Sequence, residues 1–138
     1  MDKDRVIKIL NDALAQEHAC QIRYLTHAAM ITGPYAEAVE ARLKEIAGDE
    51  REHADTLRDR ITALGGTPTM EVSKDDLIPA KTLKEILDVN INEEKKAVSF
   101  YRAILKMVEH EEVILYEAIE HVIEDEQEHL EELERLKE

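Results

Sequence analysis

Ile46-Ala47-Gly48-Asp49-Glu50-Arg51-Glu52-His53-Ala54-Asp55-Thr56-Leu57 is the stretch that decides the architecture. Ile46 and Leu57 belong to an apolar stripe, Val39, Leu43, Ile46, Leu57, Ile61 and Leu64, whose spacing keeps to one face of a helix. The steps between Ile46 and Leu57 fall on Glu50 and His53. Seventy-six residues further on the pattern returns as Asp125-Glu126-Gln127-Glu128-His129, between the apolar Val122 and Leu133. An ionisable pair inside a buried stripe is expensive. An unpaired buried carboxylate costs several kcal/mol, and a whole domain is stable by only about 5–15 kcal/mol.

Working outward, the breakers divide the chain cleanly. Gly33-Pro34 closes a first helical pattern with the stripe Val6, Leu10, Ala13, Cys20, Tyr24, Ala28 and Ile31; its defect is Glu17. Gly65-Gly66 ends the second helix, as glycine past the last periodic residue does. Thr82-Leu83-Lys84-Glu85 reads as a capping box opening the third, and the rhythm falters at Glu109-His110-Glu111-Glu112 before the fourth. In the third helix Ile86, Ala97, Phe100, Ile104 and Met107 give a seam broken at Glu93. A rival seam, Leu87, Asn90, Glu94, Ala97, Tyr101 and Val108, passes through Glu94 instead. The expectation is an all-α chain, one four-helix bundle domain over residues 1–138, with helices at about 4–31, 35–64, 82–108 and 111–136. Short links make each helix pair an antiparallel hairpin. The 17 residues from Gly65 to Lys81 reach about 56 Å at ~3.3 Å each, enough to recross a helix of roughly 42 Å. That favours up-down-down-up with one long crossover; up-down-up-down with a loose loop is the alternative.

The defects are related. Glu17 and Glu50 are equidistant from the Gly33-Pro34 turn, Glu93 and Glu126 from Glu109-His110, and each pair is 33 residues apart. Adding 76 carries Glu17 to Glu93, Asp49 to Asp125, Glu50 to Glu126 and His53 to His129. Two hairpins therefore each deliver one Glu and one Glu-x-x-His, with Glu and His on the same helix face. With 22 Glu and 6 His in the chain, one Glu-x-x-His arises by chance, but two on core seams do not. Four carboxylates are neutralised by two divalent cations, and oxygen donors with some imidazole suit iron or manganese rather than structural zinc. This matches a donor pattern already known from di-iron and di-manganese carboxylate bundles. The metal set is thus Glu17, Glu50, His53, Glu93, Glu126 and His129, with Glu94 as the other candidate on the third helix. Tyr24, two turns beyond Glu17, is placed to hydrogen-bond a ligand or to serve as an ordinary core tyrosine. Cys20 reads as a small buried residue, Asp49 as a group behind the ligands or on a cation route, and His18, His27, His110 and His121 as surface histidines.

Charge narrows the partners. Eighteen Lys and Arg against 32 Asp and Glu give a net charge of −14, which disfavours nucleic acid and anionic membranes and favours cations. A single cysteine makes no internal disulfide, no apolar run approaches a membrane span, and the start MDKDRVIKIL lacks a signal-peptide core. A cytoplasmic protein is expected.

Glu17 with Tyr24 in EHACQIRY, Glu50 and His53 in DEREH, Glu93 in NINEEKKA, and Glu126 with His129 in DEQEH resemble the ferritin-like superfamily, the bacterioferritins most of all. The resemblance spans nearly the whole chain. It implies a di-iron ferroxidase centre within one subunit, Glu50 and Glu126 bridging, Glu17 and His53 on one iron, Glu93 and His129 on the other. It further implies oxidation of Fe(II) by O2 or H2O2, a role in iron detoxification or storage, and a homo-oligomer. Two departures carry expectations. Arg51 stands where bacterioferritins place a haem-ligating Met, so no haem is expected there. The sequence stops at Leu136-Lys137-Glu138 without their short fifth helix, which argues against a 24-subunit shell. The rival readings are a rubrerythrin-like di-iron peroxidase that stores no mineral and a metal-free helical interaction module.

Overall fold

The computed structural model describes residues 1–137. Four long helices carry the chain: α1 (Lys3–Met30), α2 (Ala36–Ala63), α3 (Leu83–Met107) and α4 (Val113–Lys137), with a 3-10 turn at Lys74–Asp76. Their ends follow local chemistry. Asp2 caps α1 by accepting from the Arg5 N–H at 3.1 Å, and Thr82 caps α3 by accepting from the Glu85 N–H at 3.1 Å. Glu85 reaches back to the N–H of Lys81 at 3.1 Å, one residue ahead of the cap. At the end of α2, Gly65 has φ +90°, and the Gly66 N–H returns to the Ile61 carbonyl at 2.9 Å.

Side-chain pairs fix the topology. Tyr24 meets Glu94 and Tyr101 meets Glu17, so α1 and α3 run antiparallel; Arg42 meets Glu132 and His53 meets Asp125, so α2 and α4 do too. With both hairpins antiparallel, the order is up-down-down-up, as the length of the crossover led one to expect. That crossover is not loose. Asn11 holds Thr67 and Thr69, the Ala15 carbonyl accepts from the Ser73 N–H, Arg23 donates to the Asp76 carbonyl and His27 pairs with the Ile78 carbonyl. His27 is therefore no surface histidine. It is 1% exposed, because its other ring nitrogen takes an N–H from Asn90 at 2.9 Å and the crossover covers it.

Two apolar clusters fill the bundle at different heights. One joins Val6, Leu10, Leu14, Leu57, Ile61, Ile104 and Ile119; the other joins Ala28, Leu43, Ile46, Ile86, Leu130 and Leu133. In every helix buried carboxylates or imidazoles stand between the two, and they form one layer at mid-height. Among the described residues no helix is long and apolar enough to cross a membrane.

Candidate metal centre

Each helix gives this layer what its periodicity allows. α2 and α4 present Glu50 with His53 and Glu126 with His129, one turn apart on one face. α1 presents Glu17, and α3 presents Glu94. All six are 2% exposed or less. Their donor atoms form two tetrads, Glu17, Glu50, His53 and Glu126, and Glu50, Glu94, Glu126 and His129, each within 4.8 Å internally. Glu50 and Glu126 belong to both. His53 Nδ1 lies 3.2 Å from Glu126 Oε1, and His129 Nδ1 lies 3.2 Å from Glu50 Oε1.

The groups behind the donors obey the same two-fold relation. Tyr101 donates its hydroxyl to Glu17 Oε1 at 2.6 Å, and Tyr24 donates to Glu94 Oε1 at 2.6 Å. His53 Nε2 pairs with Asp125 and His129 Nε2 with Asp49, both at 2.8 Å. An aspartate on Nε2 assigns the proton there and leaves Nδ1 as the lone-pair donor facing the layer. The rest is left over. Glu17 Oε2, Glu94 Oε2, both oxygens of Glu50 and of Glu126, and Nδ1 of His53 and of His129 are buried without a hydrogen-bond partner. Native interiors leave few such atoms, and here they converge on one place. An oxygen-rich set with two imidazoles and no thiolate fits two hard or borderline divalent cations.

Electrostatics agree. Burial, with Glu126 and Glu17 nearby, pushes the Glu50 carboxyl well above the usual carboxylate range; burial and Glu94 do the same to Glu126. Burial opposes charge on His53, but Glu17, Glu50 and Asp125 outweigh it and raise the imidazole to about 10. His129 rises likewise, its burial overridden by Glu126, Glu50 and Glu94. Burial also works against Glu17, yet the neighbouring Glu50 and His53 side chains, together with the Tyr101 hydroxyl, carry it below its usual value. Without cations the chain balances this layer with protons, and a divalent ion must displace them.

The ferritin-like domain family matches residues 7–138. The chain belongs to the ferritin-like family. Among curated relatives, the bacterioferritin of Desulfovibrio desulfuricans is 31% identical over 130 residues, covering 93% of this chain and 72% of that protein. A bacterial ferritin of Pseudomonas aeruginosa is 34% identical over 90 residues, covering 65% of this chain and 57% of that protein. Crystallised ferritin-like, diiron-carboxylate proteins from Bacillus anthracis superpose with a TM-score of 0.92 at 29% identity, covering 100% of this chain and 99% of theirs. An X-ray structure of the Desulfovibrio desulfuricans bacterioferritin, showing its diiron site in different catalytic states, gives a TM-score of 0.88 at 26% identity. It covers 98% of this chain and 79% of that one.

Against this ferritin-like framework one residue expected in the layer is displaced. Glu17, Glu50, His53, Glu126 and His129 meet in it, but Glu93 does not; Glu94 takes its place. Glu93 turns instead toward the crossover, 3.3 Å from Lys96 and 3.9 Å from the buried Arg23. Arg23, at 2% exposure, is a cation that needs a carboxylate, and Glu93 supplies it. Tyr24 hydrogen-bonds a member of the layer. Tyr101 does the same for Glu17, and the sequence signal for it is that Glu94 and Tyr101 repeat the seven-residue spacing of Glu17 and Tyr24, 77 residues on. Asp49 backs His129. Cys20 is half-buried, and Arg51 is exposed on α2.

Proposed function

We propose that the chain is a di-iron ferroxidase, taking Fe(II) as substrate and passing its electrons to O2 or H2O2. The observation that carries the reading is the pair of buried tetrads sharing Glu50 and Glu126, with their inward atoms lacking any protein partner. Glu50 and Glu126 would bridge the two ions, with Glu17 and His53 on one and Glu94 and His129 on the other. Bound there, the iron pair supplies two electrons at once: with peroxide, 2 Fe(II) + H2O2 + 2 H⁺ give 2 Fe(III) + 2 H2O, and with O2 the same two electrons give H2O2.

The protein's part is positioning. Tyr101 and Tyr24 each occupy one oxygen of a terminal carboxylate, so the other oxygen has a single direction left to point. Asp125 and Asp49 hold the imidazole protons on Nε2 and keep Nδ1 free to bind. The apolar clusters above and below exclude water from the layer, so the carboxylates act at short range in a poorly screened medium. The net charge of −14 concentrates cations near the surface. A role in iron detoxification or storage, a homo-oligomeric state and the absence of haem at the exposed Arg51 belong to the same proposal.

Anaerobic titration should reach two Fe(II) per chain, followed by oxidation on admitting O2 or peroxide. Glu50→Ala removes a donor common to both tetrads and should abolish stoichiometric binding; a variant still holding two ions would overturn the assignment.

A further inference from the structure

On the α1–α3 side the two-fold relation behind the layer fails at one pair of residues. Adding 77 carries Glu17 to Glu94 and Tyr24 to Tyr101, but it carries Arg23 to Phe100. Each tyrosine holds a carboxylate of the layer, Tyr24 that of Glu94 and Tyr101 that of Glu17. Beside the first stands a guanidinium, with Arg23 Cζ 5.3 Å from the centroid of the Tyr24 ring. Beside the second stands a neutral ring, Phe100, edge-on to Tyr101 at 6.3 Å. Arg23 also reaches α3 directly. Its Nε donates to Asn90 Oδ1 at 2.9 Å, and Asn90 lies one turn before Glu94. The charges that offset it lie toward the crossover. Glu93 Oε2 is 3.9 Å from Arg23 Nη1, and Glu93 and Asp76 share Lys96 at 3.3 and 3.1 Å. The four charges balance, but not at one depth: Arg23 is 2% exposed, whereas the Lys96 side chain is largely in water. The cation beside Tyr24 is thus the one that solvent screens least.

We propose that Arg23 makes the two metal positions unequal: the Glu17–His53 position fills first and holds its ion more tightly, and the Glu94–His129 position fills second. Two effects point the same way. A buried positive charge beside the Tyr24–Glu94 pair repels a divalent ion held by Glu94 more than one held by Glu17, two turns of α1 away from Tyr24. A cation against the Tyr24 ring also draws density from its hydroxyl. Tyr24 then donates more strongly, and Glu94 becomes the poorer base toward metal. Arg23 belongs to neither tetrad. It is a positioning residue that acts through Tyr24 and Glu94.

The inference rests on the di-iron reading, and one titration separates them. Metal-free protein labelled with 15N-histidine is titrated with Co(II) alone and followed by NMR. Co(II) on Nδ1 displaces the signal of the Nε2 proton that Asp125 or Asp49 holds, and His53→Gln and His129→Gln assign the two signals. Saturation at two ions per chain tests the reading; the share of each signal at one ion per chain tests Arg23. Wild type should fill the His53 position in about tenfold preference, Glu93 cancelling part of a larger field. Arg23→Gln should bring the two positions within about threefold of each other. Arg23→Lys gives up the guanidinium hydrogen bonds but keeps the charge, and it should retain the wild-type order. Glu93→Gln uncovers the Arg23 charge and should widen the preference. The relation also breaks on the α2–α4 side, where His121 approaches Asp125 at 3.6 Å and Glu45 stands 76 residues before it. His121→Gln should leave the preference as it is. Wild-type protein that takes up no Co(II) removes the reading and the inference together. Two ions with the His129 position filled first or equally, or an order that answers to His121 and not to Arg23, remove the inference alone. So does identical behaviour of Arg23→Gln and Arg23→Lys, which a purely structural arginine would give. Should Arg23→Gln not fold, wild type and Glu93→Gln decide, and a preference unchanged in Glu93→Gln overturns the proposal.

Discussion

Glu93 and Glu94 are chemically identical neighbours with opposite employment. Adjacent residues on a helix are about 100° apart, so only one can face the layer. Glu94 does, tied to Tyr24 at 2.6 Å, while Glu93 neutralises Arg23. The two alanine variants should therefore separate. Glu94→Ala should lose one of two divalent ions with little change in the metal-free melting temperature, since it removes a buried acid from a crowded acidic layer. Glu93→Ala should keep two ions yet lose about 2–4 kcal/mol of stability, because it leaves the Arg23 charge buried with a poorer partner. Metal stoichiometry and thermal melting of both variants check this, and the reverse pattern would restore Glu93 to the layer. The buried layer was largely legible in the sequence: five of the six side chains that meet in it stand out as ionisable breaks in apolar stripes. The sixth was not, because α3 offers two seams one residue apart, and its own periodicity satisfies either.

At the scale of elements, the crossover is held by side chains rather than by its own regular structure. Asn90, fully buried on α3, donates to the Ile86 carbonyl and to His27, and accepts from Arg23, both of which clamp the crossover to α1. Asn90→Leu should cost about 2–4 kcal/mol, since it strands a buried guanidinium and a buried imidazole. It should also loosen the segment from Thr67 to Lys81 before the helices melt. Limited proteolysis reads this directly: cleavage confined to residues 67–81 at temperatures where helical circular dichroism is unchanged. Equal resistance of variant and wild type would show that the crossover is held otherwise. The helices themselves could be read from caps, glycines and stripes, because those signals are local. The docking of the crossover could not. His27 looks like a surface residue on α1 until Ile78, 51 positions away, is laid over it.

For the whole molecule, the acidic layer links folding to protons and to metal. His53 is raised from 6.5 to about 10 in the folded chain, so the stability it contributes is complete below pH 6.5 and is lost as pH climbs toward 10. The raised Glu50 and Glu126 act in the same direction, favouring the fold while they keep their protons. Chelator-treated protein should thus melt at progressively lower temperature from neutral to alkaline pH. Two divalent cations replace those protons, so added Mn(II) or anaerobic Fe(II) should raise the melting temperature, and by more as pH rises. At a hundredfold excess over Kd each ion adds about 2.7 kcal/mol. Scans from pH 6.5 to 9.5 with and without metal test the sign; a metal effect that shrinks with rising pH would contradict it.

By itself the sequence determined four amphipathic helices, their pairing into two hairpins, the long return between them, and the helix positions of Glu17, Glu50, His53, Glu126 and His129. Those features depend on spacing along one helix or on the reach of one loop, and short-range geometry settles both. Only the tertiary structure decided between Glu93 and Glu94 and brought Tyr101, Asp49 and Asp125 in behind the donors. The second hairpin sets its two acids 32 residues apart where the first sets them 33 apart, so the repeat is offset by 77 on α3 and 76 on α4. How α3 rotates against α1 is fixed by packing and by the claim of Arg23 on Glu93, and neither is written in the order of residues along α3.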